Sequence, residues 1–169
     1  MKKLTSLLLL CVAAFLMSCE GDPGPVGPQG PPGPEGGLFV ASAFEIAIDF
    51  TANNGYEYIE PYGFDVYPSD VTLVYILWEV TQGFEVWRLT PQTTEFEDGT
   101  TLTYNYDFTD VDVRFFLDGT TDFSTLSSAW TQNQIFRVVV VPADNVDALD
   151  VNNLDEVLNV AKIDKIIKK

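Results

Sequence analysis

Residues 38–169 predict an antiparallel β-sandwich of about eight strands with a short C-terminal helix, and three observations carry that expectation. From Leu38 onward apolar and polar residues alternate with a period of two. Two runs, Val71 to Val80 and Ile135 to Val141, are instead apolar on both faces and rich in β-branched residues, as central strands are. The turn signals Asn54-Gly55, Gln82-Gly83, Asp98-Gly99 and Asp118-Gly119 divide the runs into lengths that suit strands. A distorted barrel is the alternative arrangement of the same strands.

The chain opens with a different chemistry. Lys2 and Lys3 precede an apolar run from Leu4 to Leu16, the length of a signal-peptide core and short of the roughly 20 residues that span a bilayer. The run ends in Leu16-Met17-Ser18-Cys19, which resembles a bacterial lipobox, with Met17 where small residues are commoner. Residues 1–18 are then a lipoprotein signal peptide and Cys19 is the lipidation site. Cys11 would leave with the leader, so Cys19 is the sole remaining cysteine and no intramolecular disulfide can form. More than one acyl chain makes such an anchor firm.

Residues 19–37 form a stalk. Glycine recurs at 21, 24, 27, 30, 33 and 36, with proline at 23, 25, 28, 31, 32 and 34. Glycine at every third place is what a collagen triple helix requires, because only Gly fits at its axis. The same residues also suit a single polyproline II spacer, which at about 3.1 Å per residue reaches roughly 50 Å. A homotrimer wound through the stalk and a monomeric spacer both remain open.

Within the third segment, 38–169, the elements follow in order. Val40 to Phe50 alternates, with Phe44, Ile46 and Ile48 on one face and Glu45 and Asp49 on the other. Tyr56 to Glu60 is a short strand, and Pro61 to Pro68 reads as a loop. Gln82-Gly83 joins the strand ending near Val80 to Phe84–Leu89, where Trp87 shares a face with Glu85 and Leu89. Pro91 separates that strand from Thr93–Glu97, which Asp98-Gly99 joins to the alternation Leu102, Tyr104, Tyr106, Phe108. Val111 to Leu117 alternates too, with Phe116 on the polar face beside Asp112 and Arg114. In the gap from Thr120 to Asn133 the residues Ser124 to Trp130 suggest a helical turn capped by Ser124 and pinned by Trp130. Asn153 and Glu156 resemble a capping box, Leu154, Val157, Leu158 and Ala161 keep helical spacing, and Lys162, Lys165, Lys168 and Lys169 fall toward the dipole's negative end.

Composition narrows the chemistry. The 169 residues hold 9 Lys plus Arg against 25 Asp plus Glu, a formal charge of −16, and no His. Loss of Lys2 and Lys3 with the leader takes the balance to −18. Such acidity argues against nucleic acid as a partner. Lack of His removes His-based triads and His-ligated metals. No nucleophile elbow, phosphate loop or zinc-ligand spacing occurs, so the expectation is a non-enzyme, with a carboxylate-dependent hydrolase as the remaining catalytic option.

Two binding chemistries suit such a chain. Asp110, Asp112, Asp118 and Asp122 lie near one hairpin and are the candidate calcium ligands, and Asp144, Asn145, Asp147 and Asp150 form a second acidic run. Neither fits the EF-hand spacing, so the cofactor expectation is none beyond the lipid on Cys19. Among the aromatics, Tyr62, Tyr67 and Trp130 lie in or near expected loops and are the candidates for a sugar-stacking platform.

The lipobox, the glycine triplets and the domain running to Asn133-Gln134-Ile135-Phe136-Arg137-Val138-Val139-Val140-Val141-Pro142 resemble collagen-like lipoproteins of Bacteroidota type, a group of unknown function. Glu20 and Asp22, directly after the cysteine, resemble the surface-export signal of such lipoproteins. The resemblance implies an outer-membrane, cell-surface location with the membrane as the partner through the lipid. It carries no catalytic residues. The expected function is a structural or adhesive β domain, with a glycan-binding module as the alternative and the ligand unknown.

Overall fold

A computed structural model of the chain describes residues 42–143, 146, 149–163 and 165–169. The leader, Cys19, the glycine triplets, Asp144, Asn145 and Asp147 lie outside the described residues.

Nine strands occur in the described chain: β1 (Ser42–Ile48), β2 (Glu57–Pro61), β3 (Asp70–Thr81), β4 (Phe84–Leu89), β5 (Gln92–Glu95), β6 (Thr101–Phe108), β7 (Asp112–Gly119), β8 (Gln134–Pro142) and β9 (Ile167–Lys168). Two short helices, α1 (Ser128–Thr131) and α2 (Leu154–Val160), accompany them. The first sheet has the order β4-β3-β8-β1-β9 and the second β2-β7-β6-β5. Neighbours pair antiparallel, except that β9 runs parallel to β1.

The arrangement is sandwich-like, because one buried cluster draws on both sheets. Phe44, Ile46 and Ile48 of β1, Val74 and Ile76 of β3 and Phe136, Val138 and Val140 of β8 meet Leu102, Tyr104, Val113, Phe115 and Leu117 of the second sheet. The rings of Phe115 and Phe136 lie 5.0 Å apart across the core. Burying a side chain of this size contributes roughly 1.5–3 kcal/mol.

The doubly apolar runs have a plain cause. β3 and β8 are interior strands of a sheet covered on both faces. Ala43, Leu73, Tyr75, Val139 and Val141 point away from the sandwich core and pack under Leu154, Val157 and Ala161. The Tyr75 hydroxyl donates to the Val151 carbonyl at 2.6 Å, fixing the approach to α2 on this face. Asn153 caps α2 by accepting from the Glu156 N–H, while Glu156 accepts from the Asp150 N–H rather than closing a reciprocal box.

Two sequence expectations need correction. The terminal lysines do not extend the helix: α2 has no basic residue in its last turn, and Lys162 takes a left-handed φ of 53° that turns the chain back. Ile167–Lys168 then lies beside β1, with Lys168 on Glu45 at 3.2 Å and Lys169 on Glu60 at 2.8 Å. In the gap before β8, Asp122 rather than Ser124 caps the turn Phe123–Thr125, accepting from the Ser124 N–H. Trp130 follows on α1 with its ring at 5.4 Å from Phe96.

Candidate functional site

Within the first sheet β3 outruns its neighbour β8. β3 pairs with β8 from Asp70↔Pro142 to Ile76↔Phe136, then continues to Thr81 beside β4. The register slips in this extension: Leu77 stands opposite Trp87 and Glu79 opposite Val86, which leaves Trp78 as the extra residue of a β-bulge. A bulge breaks strict alternation and re-aims the side chain it carries. Trp78 is half-buried, packs against the edge of the core, and has the Arg88 guanidinium over its ring at 4.4 Å.

Trp130 meets it from the other side. Tyr104 on β6 donates its hydroxyl to the Trp130 carbonyl at 2.7 Å, and the Phe50 N–H donates to Thr131 at 2.7 Å. Burial raises the Tyr104 hydroxyl well above the ordinary tyrosine value, so it stays a neutral donor. Gln134, the first residue of β8, donates its amide to the Ala129 and Gln132 carbonyls at 3.0 and 2.8 Å. These anchors hold α1 against the strand ends. Between them opens a cleft of about 300 Å³ lined by Ile76, Leu77, Trp78, Tyr104, Ala129, Trp130 and Gln134. Its size and mostly apolar wall with one amide suit a small ring-shaped ligand.

The cleft has a defined place in the domain. Ser42 pairs with Val140 while Gln134 pairs with Ile48 at the other end of β1. At about 3.3 Å per residue the chain therefore joins the sheet roughly 20 Å from the cleft.

The aromatic platform expected from sequence is not assembled. Tyr62 is 1 % exposed, with its hydroxyl on Thr72 Oγ1 at 2.8 Å and its ring edge-on to Phe44. It turns inward immediately after β2 and is a core residue. Tyr67 is exposed but lies in a separate hollow with Pro68, Asp70 and Phe108, and Asp70 pairs at the Pro142 end of β8. Of the three, Trp130 alone lines the cleft, and its partner there is Trp78.

The acidic residues are likewise spread. Asp112 and Asp118 stand near opposite ends of β7, roughly 20 Å apart at strand spacing, so they cannot share one cation. Asp112 accepts from the Thr109 hydroxyl, and Asp118 from the Gly119 N–H. Asp122 accepts from the Ser124 N–H and hydroxyl, and the Ser124 hydrogen bonds hold its carboxyl below the usual range. Asp110 borders the Tyr67 hollow instead. In the second run Asp150 accepts from the Asn152 N–H and side-chain amide. Among the described residues no group of three or more His, Cys, Asp or Glu is placed to hold a metal ion.

One charged cluster lies on the outer face of the first sheet. Arg137 reaches Glu45 at 2.9 Å and Glu85 at 3.5 Å, with its guanidinium 4.0 Å from the Trp87 ring. Burial would raise the Glu45 carboxyl, but hydrogen bonds and charge from Arg137 and Lys168 outweigh it and hold the group below 4.5. Its geometry is that of a structural ion pair.

No family model, curated protein or solved structure matches this chain.

Proposed function

We propose that the chain is a lipid-anchored protein displayed on the outer membrane, and that its β domain binds without catalysing. Leu16-Met17-Ser18-Cys19 supports the anchor, and the glycine triplets after Gly21 support a spacer between lipid and domain. The observation that carries the binding role is the cleft between Trp78 and Trp130, set at the end of the domain away from Ser42. Among the described residues that line the cleft none is Asp or Glu, which favours binding over carboxylate-dependent hydrolysis there.

Antibody labelling and fractionation of cells test both halves. Cys19→Ala is expected to release the protein from the membrane fraction, and unchanged retention contradicts the anchor. Trp130→Ala is expected to stay at the membrane with wild-type abundance while cell adhesion falls. Adhesion equal to wild type contradicts a binding role for the cleft.

A further inference from the structure

We propose that the cleft and the overhanging β3–β4 hairpin form one groove for a neutral polysaccharide, with pyranose rings stacked on Trp78 and Trp130; the inference rests on the binding role proposed above. The bulge at Trp78 is the first observation. It turns the Trp78 indole out of the ladder, so that the ring packs on the core edge with Arg88 over it and also lines the cleft, where a sugar ring can meet it.

The second observation is the hairpin itself. Arg88, Val86 and Phe84 alternate onto the face that carries Ile76 and the core, and Glu79 and Thr81 stand opposite Val86 and Phe84. Beyond Gln134, among the described residues, β3 has no strand of the first sheet beside it except its own hairpin partner. Phe84 is 74 % exposed there. The face thus mixes an aromatic ring and an aliphatic side chain with a carboxylate, a hydroxyl and a guanidinium. A pyranose presents the matching surface, with apolar C–H faces and a rim of hydroxyls that donate to Glu79 and accept from Arg88. A purely apolar ligand would leave those polar groups without partners.

Size and charge select within the class. The cleft of about 300 Å³ accommodates a single ring, and Trp78 belongs to both the cleft and the hairpin, so a chain of rings that passes from one to the other uses more of the surface than a monosaccharide. The balance of 25 acidic against 9 basic residues repels uronate and sulfated chains.

The test uses the chain from residue 19 onward and the hexasaccharides of β-1,4-glucan, β-1,4-xylan, β-1,4-mannan and α-1,4-glucan, with oligogalacturonate as the anionic comparison. Titration calorimetry is expected to show binding of at least one neutral hexasaccharide, weaker binding of its monosaccharide, and none of oligogalacturonate. Trp78→Ala and Trp130→Ala should each weaken that binding about tenfold or more, while Tyr67→Ala leaves it unchanged. Trp130→Phe, which keeps a ring against Phe96, guards against misfolding and is expected to recover part of the affinity. Failure of all four neutral hexasaccharides, or binding that survives both alanine variants, overturns the inference. Cell adhesion that still depends on Trp130 would then preserve the binding role and reject only the sugar, whereas adhesion indifferent to Trp130 rejects both.

Discussion

Replacing Arg137 by methionine probes the ion pair on the outer face of the first sheet. The side chains of Arg137 and Glu45 are 13 % and 15 % exposed, so the pair is largely out of water. Removing one member of a buried pair typically costs about 3–5 kcal/mol, because the other charge stays buried without compensation. Two features reduce that figure here. Lys168 remains on the other oxygen of Glu45 at 3.2 Å, although it is itself 82 % exposed and holds the carboxylate weakly. The Arg137 Nε is buried with no hydrogen-bond partner among the described residues, and the substitution removes that liability. The net cost of Arg137→Met is then about 2–3 kcal/mol at pH 7.

The dependence on pH follows from Glu45. Its folded-state carboxyl titrates below 4.5, so the pair's contribution is complete above that value and is lost as pH falls through the lower folded value. Without Arg137, burial pushes the carboxyl up again, and protonation relieves the variant before it touches the wild type. The gap in urea midpoint between wild type and Arg137→Met should therefore narrow between pH 7 and pH 3.5. The double variant Glu45→Gln/Arg137→Met should recover much of the loss at pH 7, since no buried charge is left unpaired. A single-variant cost under about 0.5 kcal/mol, or the same cost at both pH values, refutes the reasoning.

Other consequences can be checked by the same unfolding measurements. A Cβ on Gly119, whose φ is +131°, would lie 2.2 Å from the Thr101 carbonyl oxygen, so Gly119→Ala must move backbone and is expected to cost more than about 2 kcal/mol. Leu154→Ala opens a hole between α2 and the sheet it covers, for about 2–5 kcal/mol, and a loss under about 1 kcal/mol would contradict that packing. Tyr62→Phe strands the Thr72 hydroxyl in the core and should cost about 1 kcal/mol while leaving hexasaccharide affinity unchanged, which separates a core tyrosine from a ligand-contacting one.

Legibility in the sequence tracks how local each feature is. The doubly apolar runs mark interior strands correctly because burial on both faces writes itself directly into residue type. Gly83 and Gly99 take positive φ in the turns that join β3 to β4 and β5 to β6, and Gly55 closes the turn before β2, but Asp118-Gly119 is no reversal: it ends β7, where Gly119 still pairs with Leu102. The strand β9 was hidden, because Ile166 and Ile167 between lysines fit a helix as well as an edge strand. Tyr62 misled for a related reason: proline and glycine neighbours indicate an irregular backbone but not the direction of a side chain. Asp112 and Asp118 are near in sequence yet separated by the length of β7, since an extended strand puts distance where a helix would bring residues together. Trp78 is the hardest case. Its bulge is a relation between β3 and β4, and nothing in either run alone shows which residue the register leaves over.

The three tryptophans report on ring stacking directly. Trp78 and Trp130 line the cleft, while Trp87 lies on the other face of the first sheet beneath Arg137. In a nitrogen-15 NMR titration with the neutral hexasaccharide that binds, the indole N–H signals of Trp78 and Trp130 are expected to shift together and saturate, with Trp87 fixed. Movement of Trp87 alone, or no movement of any indole across the four hexasaccharides, would contradict that stacking.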